Sequence, residues 1–595
     1  MDILGISCYY HDAAAVLLRD GKLIAASEEE RFSRIKHDYG FPKQAIQYCL
    51  DAGGIQGPDL DYVVFFEKPF RKLDRILASV LGTYPKSWKV FRESMITWVI
   101  DKLWVGSTLQ AELGIPKNKV LFSEHHLSHA ASSFLSSPFE ESAILTVDGV
   151  GEWITATYGV GKGNDIRLFK QMDFPHSIGL LYSAFTAFLG FEVNEGEYKV
   201  MGMAPYGEPK YVDKVWKVVQ QNNDGSFSLN MDYFSFHHST EHTYNQNFVK
   251  LFGEPRPVKM QFFTEGTGFP KYFGDPPSNI KELSNINQHY ADIAASIQKV
   301  TEELVLGMAK GLHRETGLKN LCIAGGVGLN SVANTRIMRE TPFEKIYVQP
   351  AAGDGGGALG AALWAYNTLL GKPRNFCMDH AYWGREYNGS EISSFLKSSN
   401  IPYTLLEDED KMLDHVVERL KSGRVIGWYQ GRFEWGPRSL GNRSIIADPS
   451  NPDMKDIVNA KIKFREPYRP FAPSVLAECT EKYFDLPQAM THYPARYMLY
   501  VVPVKPEAQA ILPAITHVDG TGRLQTVFKE QSPRYYRLIE RFGQASGVPV
   551  LLNTSFNLRG EPIVTTPANA FNTFSKSEMD TLVLGNYIVD KSSLN

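Results

Sequence analysis

Apolar and polar positions along the chain fall into blocks that predict strands and helices in turn. Residues 2 to 8 form an apolar run, read as a buried strand that ends in Tyr9-Tyr10-His11-Asp12. The run Ala14 to Leu18, the turn Arg19-Asp20-Gly21-Lys22 and the run Leu23 to Ala26 then predict a hairpin. A helix is expected over Pro42 to Ala52 and a short strand over 61 to 66. The aromatic, basic stretch from Pro69 to Gly114 reads as helical, with its Trp and Phe side chains in the core. The same order then returns. Ser142 to Val147 is a mostly apolar strand, followed by the polar turn Asp148-Gly149-Val150-Gly151-Glu152 and a second hairpin from Ile154 to Phe169. Strand, polar turn and hairpin occur twice, which predicts two halves facing each other across a cleft.

Residues 211–280 are polar, aromatic and irregular, the composition of an insertion or of a lip over a substrate. From Ser284 to Glu315 the residues Ile293, Ile297, Val300, Leu304, Met308 and Leu312 recur in steps of three or four, predicting one long helix with an apolar face. Leu321 to Ala324 reads as a strand running into Gly325-Gly326-Val327-Gly328-Leu329-Asn330 and a helix, where a nucleotide can lie against bare backbone. This is neither a Walker A loop nor a clean dinucleotide fingerprint. Ile346 to Val348 leads through Gly353-Asp354 into a helix of small residues. The pattern breaks around Gly371-Lys372-Pro373-Arg374, so a first domain is expected over 1–370 and a second over 385–595. The second opens with a helix over Asp410 to Ser422 and a strand over Arg424 to Tyr429.

A chain of 595 residues exceeds what one hydrophobic core usually serves, in keeping with at least two domains. Its 62 Lys and Arg against 66 Asp and Glu leave no electrostatic footprint for nucleic acid or an anionic membrane, so any anion site must be local. No apolar run is long enough to span a membrane, and Met1-Asp2-Ile3-Leu4-Gly5-Ile6 lacks the plan of a signal peptide, so a cytoplasmic location is expected. The five cysteines are scattered and form no CxxC pair, which predicts reduced, mostly buried thiols.

The most distinctive stretch is Glu124-His125-His126-Leu127-Ser128-His129. On a helix His125 and His129 share one face at i and i+4, while His126 points away. With Asp148 at a strand end, two imidazoles and a carboxylate can share one metal ion; the competing reading is a helix start with ordinary hydrogen-bonded histidines. Asp354 is a natural fourth ligand, or else the N-cap of its helix. A set of two nitrogens and two carboxylates suits Fe2+ or Zn2+ better than Mg2+. His11 and Asp12 sit at the rim of the first hairpin, where a histidine can be an ordinary hydrogen-bonded turn residue. The charged run from Ser27 to Asp38 is either a solvated face or, through Arg31, Arg34 and Lys36, a local anion contact.

The C-terminal part carries a dense basic set: Arg432, Arg438 and Arg443 among glycines and Pro437, then Lys461, Lys463, Arg465 and Arg469. Arg523, Asn553 and Ser555 add a guanidinium and neutral donors. Arginines held by Gly and Pro turns clamp oxyanions well, because guanidinium pairs bidentately with phosphate or carboxylate. Plain surface charge is the alternative.

Taken together, the chain resembles the carbamoyltransferase family of the nodulation, cephamycin and tobramycin enzymes over nearly its whole length. The resemblance is carried by His11-Asp12-Ala13-Ala14, Glu29-Glu30-Arg31-Phe32, His125 with His129, Gly149, Gly325-Gly326-Val327, Trp435-Gly436-Pro437-Arg438, Arg469-Pro470-Phe471-Ala472-Pro473 and Asn553-Thr554-Ser555-Phe556-Asn557, in the family's order. It implies an α/β protein: a duplicated N-terminal domain of the actin-like ATPase and sugar-kinase fold, then a YrdC-like α/β domain. It further implies that the C-terminal domain takes carbamoyl phosphate and ATP, with Mg2+, to a carbamoyl-adenylate, and that the N-terminal domain passes the carbamoyl group to an acceptor hydroxyl. By motif position, Arg438, Lys463, Arg469, Arg523, Asn553 and Ser555 would hold carbamoyl phosphate. Likewise His125, His129, Asp148 and Asp354 would bind the metal, with iron the family's precedent, and Lys36, Gly149, Gly325, Gly326 and Asn330 the adenylate. His11 would be the base and Asp12 would stand beside the acceptor.

Tyr9-Tyr10 precede His11 where the family often has glycine, which implies a narrower or more aromatic acceptor pocket. An aminoglycoside, a macrolide, a guanidinium alkaloid alcohol and a lipo-oligosaccharide all fit as acceptors. Rival readings are a threonylcarbamoyl transferase acting on tRNA, disfavoured by the lack of a basic stripe, a small-molecule kinase, which leaves the arginines without work, and a non-catalytic nucleotide- and metal-binding regulator.

Overall fold

The computed structural model describes residues 1–100, 102–463, 466 and 468–594. The chain divides into two compact units, Met1–Ala26 with Tyr39–Met378 and Ser27–Asp38 with Asp379–Asn595. The charged stretch 27–38, although flanked on both sides by the first unit, belongs to the second.

The first unit holds two five-stranded sheets. One joins β1 (Asp2–Ser7), β2 (Ala14–Arg19), β3 (Lys22–Glu28), β4 (Tyr62–Phe65) and β5 (Val120–Phe122) in the order β3-β2-β1-β4-β5. The other contains β6 (Glu141–Val147), β7 (Ile154–Lys162) and β8 (Asp165–Asp173). A small hairpin of β9 (Val219–Gln221) and β10 (Phe227–Leu229) intervenes before β11 (Asn320–Ala324) and β12 (Lys345–Val348) complete the order β12-β11-β6-β7-β8. Read from the opposite edge, the two sheets have one order and one set of directions: antiparallel through the hairpin and parallel through the last two strands. The repeat expected from strand, turn and hairpin is therefore real, and the duplicated plan is that of the actin-like ATPase and sugar-kinase fold. The central strands are buried along nearly their whole length, as strands covered on both faces must be.

The long helix runs over Ile280–Thr316, 37 residues, or roughly 55 Å at 1.5 Å per residue. Its Ile293, Ile297, Val300, Leu304, Met308 and Leu312 are all fully buried, which is why the period of three and four was visible. Two other expectations need correction. The stretch 69–113 forms three helices, Pro69–Thr83, Trp88–Ile100 and Val105–Leu113. Trp98 is buried there, but Phe70, Trp88 and Trp104 are 70, 58 and 56 % exposed: each short helix has one packing face, and these side chains fall outside it. Residues 211–280 are also more ordered than their composition suggests. They include the helices Val212–Val218 and Gln246–Phe252, and Phe248 and Phe252 meet Phe185 edge-on at ring-centroid distances of 4.9 and 5.0 Å. Aromatic residues without periodicity make a satellite core in this region.

The second unit is built on a nine-stranded sheet of β13 (Thr404–Leu405), β14 (Ile426–Tyr429), β15 (Arg443–Ala447), β16 (Ala472–Leu476), β17 (Tyr500–Pro503), β18 (Thr521–Val527), β19 (Val550–Ser555), β20 (Thr581–Leu584) and β21 (Tyr587–Asp590). Their order is β13-β21-β20-β14-β15-β19-β16-β18-β17. The helix Glu409–Lys421, begun by the Asp408 side chain accepting from Asp410 and Lys411 N–H, packs its buried Met412, Leu413, Val416 and Leu420 against Trp428, Leu538 and Phe542. All five cysteines are free thiols, Cys8, Cys49 and Cys322 being buried. Among the described residues no helix is long and apolar enough to cross a membrane.

Candidate active site

Four side chains meet where three segments of the first unit end or begin. His125 and His129 stand one turn apart on the helix His125–Phe134, a weak helix former by composition. Its first turn is capped from outside: the His125 N–H donates to the buried carboxylate of Glu152 at 3.0 Å. Asp148 follows β6, and Asp354 opens the helix Asp354–Leu363 just after β12. The small residues of that helix serve close approach, since a Cβ on Gly360 would lie 1.8 Å from the Ser128 carbonyl oxygen. The cap of the helix is Gly353, so the N-cap reading of Asp354 does not hold.

Donor atoms from all four residues lie within 4.8 Å of one another. His125 Nε2 is 3.1 Å from Asp148 Oδ2, 3.1 Å from His129 Nε2 and 3.6 Å from Asp354 Oδ1. His129 Nε2 is 3.6 Å from Asp148 Oδ2 and 3.5 Å from Asp354 Oδ1. Ligands about 2.1 Å from one tetrahedral centre stand about 3.4 Å apart, so the spacing fits a divalent ion. The polar bookkeeping fits as well. Both Asp354 oxygens are buried without a hydrogen-bond donor, a costly arrangement unless a cation completes it. Asp148 is oriented by the Gly326 N–H, which donates to Oδ1 at 2.8 Å and leaves Oδ2 to the histidines. Burial would raise its carboxyl pKa, yet His125 and His129 hold it well below the usual range. His126 has a different job. Its ring nitrogens pair with Thr146 Oγ1 at 2.7 Å and the Ile154 carbonyl at 2.9 Å, tying the helix to β6 and β7.

His11 follows β1 on a loop that is left-handed at Tyr9 and Asp12. Its Nδ1 is 3.0 Å from Asp12 Oδ2, and its Nε2 is 3.8 Å from Asp354 Oδ2. Burial works against charge on this ring, but the Asp354 and Asp12 carboxylates outweigh it and push the pKa up to about 9. Gly149, Gly325, Gly326 and Asn330 belong to the same unit, whereas Lys36 belongs to the other. Asn330 caps the helix Ser331–Glu340 by accepting from the Ala333 N–H, and it exchanges hydrogen bonds of 3.2 Å with Gln298.

In the second unit the expected anion residues gather at one end of the sheet. Ser444 of β15 pairs with Ser555 of β19, Ala472 of β16 with Asn553, and Ser474 of β16 with Gln525 of β18. Arg523 lies on the face of β18 that Gln525 shares. Asn553 Nδ2 donates to Gln525 Oε1 at 2.9 Å, Ser474 Oγ at 3.1 Å and the Ser439 carbonyl at 3.2 Å, which brings the loop of Arg438 to the same place. Lys463 Nζ is gripped by the Ser555 carbonyl at 2.6 Å, the Asn557 carbonyl at 2.9 Å and Asn557 Oδ1 at 2.8 Å, so it fixes the loop after β19. Arg469 lies 3.8 Å from Glu466 Oε2; Arg465 lies outside the described residues. Arg443 departs from the oxyanion reading: it is fully buried, donates to the Gly431 and Asn442 carbonyls at 3.0 and 2.9 Å, and covers the Tyr429 ring at 3.6 Å. Nor are Arg31 and Arg34 a solvated face. Arg31 donates to the Gly436 carbonyl at 2.6 Å, and Arg34 to the Ile563 and Pro562 carbonyls at 2.6 and 2.7 Å.

Comparison with known sequences decides the family. Residues 2–363 match the profile described as Carbamoyltransferase N-terminus, and residues 417–591 match Carbamoyltransferase C-terminus. The chain belongs to the carbamoyltransferase family. Among its relatives, the Synechocystis sp. protein sll1178 is 46 % identical over 99 % of this chain and 97 % of its own length. Nodulation protein NolNO of Sinorhizobium fredii is 36 % identical over 98 % of this chain and 79 % of its own. The 3'-hydroxymethylcephem-O-carbamoyltransferase of Streptomyces clavuligerus is 33 % identical over 56 % of this chain and 60 % of its own. The protein is therefore a carbamoyltransferase, of a family that includes O-carbamoyltransferases.

Sequence reasoning about this carbamoyltransferase missed two buried acids beside the histidines, Glu67 and Glu152, which are 2 and 4 % exposed. Glu152 caps the histidine helix. Glu67 pairs with Lys72 Nζ at 2.8 Å and lies 3.8 Å from His125 Nδ1. Burial would raise Glu67, but Lys72 and His125 hold its pKa down to about 2. A signal was present: Glu67 comes two residues after β4, as His11, Asp148 and Asp354 closely follow their strands.

Proposed function

We propose that this carbamoyltransferase is ATP-dependent and transfers the carbamoyl group to a hydroxyl of a small natural-product or sugar acceptor. In this reading, in the C-terminal, YrdC-like part, water cleaves carbamoyl phosphate to carbamate and phosphate, and the carbamate oxygen then attacks the α-phosphorus of ATP, displacing pyrophosphate and leaving carbamoyl-adenylate. Arg438, Lys463, Arg469, Arg523, Asn553 and Ser555 serve the phosphate of the donor, the guanidinium groups by charge-assisted hydrogen bonds and Lys463 also by holding the loop of Ser555. Mg2+ accompanies ATP as it does in other phosphoryl chemistry.

The N-terminal domain performs the transfer. Gly149, Gly325 and Gly326 let backbone approach the adenylate, Asn330 adds a polar contact, and Asp12 stands beside the acceptor. The acceptor oxygen attacks the carbamoyl carbon, the bond from that carbon to the adenylate oxygen breaks, and His11 takes the hydroxyl proton. His125, His129, Asp148 and Asp354 would hold a divalent cation, with Fe2+ the first candidate and Zn2+ the second. Such an ion would supply Lewis acidity toward a carbonyl or phosphate oxygen, and by neutralising Asp354 it would lower the field that keeps His11 protonated.

The observation that supports this reading most is the convergence of four ligand-type side chains beside His11, whose Nε2 is 3.8 Å from Asp354. A base next to an electrophile-binding ion is what acyl-type transfer to a weak alcohol nucleophile requires. The test is incubation of the purified protein with ATP and carbamoyl phosphate without acceptor, following pyrophosphate and searching by mass spectrometry for carbamoyl-adenylate. Its formation supports the first half-reaction; no pyrophosphate from protein that carries its metal would overturn the adenylate route.

A further inference from the structure

Behind the ligand face of His125 lies a buried charge pair that the proposed chemistry does not use. Glu67 and Lys72 are 2 and 3 % exposed, and Lys72 Nζ donates to Glu67 Oε2 at 2.8 Å. Burying two charges costs desolvation that two apolar side chains would not, so the pair is weak as a stability device. Its position suggests another use. Glu67 Oε2 lies 3.8 Å from His125 Nδ1, a buried ring nitrogen without a hydrogen-bond partner. The other nitrogen of that ring, Nε2, faces Asp148, His129 and Asp354.

An imidazole that offers Nε2 to a cation carries its hydrogen on Nδ1, and whatever faces that hydrogen sets tautomer, ring angle and basicity. The backbone holds Glu67 to this task from two sides. The Phe66 carbonyl accepts from Ser128 Oγ on the histidine helix at 2.8 Å. The Glu152 carboxylate receives both the Lys68 N–H at 2.9 Å and the His125 N–H at 3.0 Å. Lys72 also reaches toward the base: its Nζ is 4.8 Å from the centre of the Tyr10 ring, which is 4.7 Å from the His11 ring.

We infer that Glu67 is the positioning carboxylate of His125, facing the Nδ1 hydrogen so that Nε2 is presented to a divalent cation, and that Lys72 keeps Glu67 aimed. This rests on the proposed cation site and adds the pair that orients it. Removing one member alone strands a buried charge and can unfold the chain. The informative variant is therefore the double substitution Glu67→Gln with Lys72→Met, which removes both charges at nearly constant volume. In the full chain stripped of metal and titrated with Co2+ and Zn2+, this variant is expected to melt with the parent when cation-free. It is expected to bind both ions about 10- to 100-fold more weakly, with shifted Co2+ absorption bands. Glu67→Asp, which keeps a carboxylate, should recover part of the affinity. A double variant with the parent's affinity and Co2+ spectrum would overturn the role of Glu67 while leaving the cation site standing. A parent chain that binds neither ion would overturn the site and this inference together.

Discussion

His125 and His129 point their Nε2 atoms at each other, 3.1 Å apart, with a carboxylate oxygen of Asp148 and one of Asp354 beside them. Two imidazole nitrogens at that distance share a proton or a cation. In a fully buried site ringed by acids, a divalent ion satisfies all four groups at once.

The first prediction concerns these ligands. The parent chain should retain one equivalent of a transition metal after dialysis, measured by elemental analysis. His125→Ala, His129→Ala, Asp148→Asn and Asp354→Asn should each lose it, with affinity falling by more than the roughly 10- to 100-fold typical of residues behind a ligand. Equal retention by any of the four would remove that residue from the ligand set.

His126 should behave otherwise although it is His125's neighbour. Because its ring bridges Thr146 and the Ile154 carbonyl, His126→Ala removes two buried hydrogen bonds and should cost about 1–3 kcal/mol of stability in all. Chemical denaturation should show that loss, while metal content stays at the parent's level. A drop in metal content without a drop in stability would contradict this division.

How much of this could be read from the chain depended on whether the signal was local. The i, i+4 histidines and the apolar stripe of the long helix repeat at a short period that a single segment reveals, and each strand-turn-hairpin is legible within its own segment. Glu67 and Lys72 gave no such period: an acid and a base five residues apart look like surface until β4 carries them behind His125. Lys463 and Arg443 show the converse. Lys463 is held by the carbonyls after β19 and Arg443 by the Gly431 and Asn442 carbonyls, contacts that only the sheet creates; for Arg443 they replace the oxyanion reading. Exposure was also illegible for Trp88 and Trp104, since aromatic content says nothing about which face of a short helix finds a neighbour.

The two domains should fail separately. Under the proposed division of labour, Arg469→Ala is expected to abolish pyrophosphate release, whereas His11→Ala should leave it and stop only carbamate formation on the acceptor. General-base removal typically costs about 10²–10⁴-fold in rate, so single-turnover mass spectrometry of accumulated carbamoyl-adenylate is the suitable readout. If His11→Ala in folded protein also lost pyrophosphate release, the assignment of transfer to His11 would be wrong.

The last prediction uses a residue with no chemistry of its own. A Cβ placed on Gly151 would stand 2.9 Å from Cγ and Cδ2 of His125 and 3.0 Å from its Cβ. Real Cβ atoms do not sit so close, and the backbone of Gly151 is anchored, its N–H donating to the Ile154 carbonyl at 2.9 Å and its carbonyl accepting from Arg75 Nη1 at 2.9 Å. The ring, attached to a helix end, must yield instead. Overpacking of this kind costs about 1–3 kcal/mol. If half of it is relieved by turning His125 away from Asp148, the affinity for the ion falls about two- to tenfold, since 1.4 kcal/mol is a factor of ten. Gly151→Ala should therefore weaken metal binding while every ligand is still present, and isothermal titration would read it directly. Unchanged affinity together with lower stability would mean that the backbone, not the imidazole, gives way.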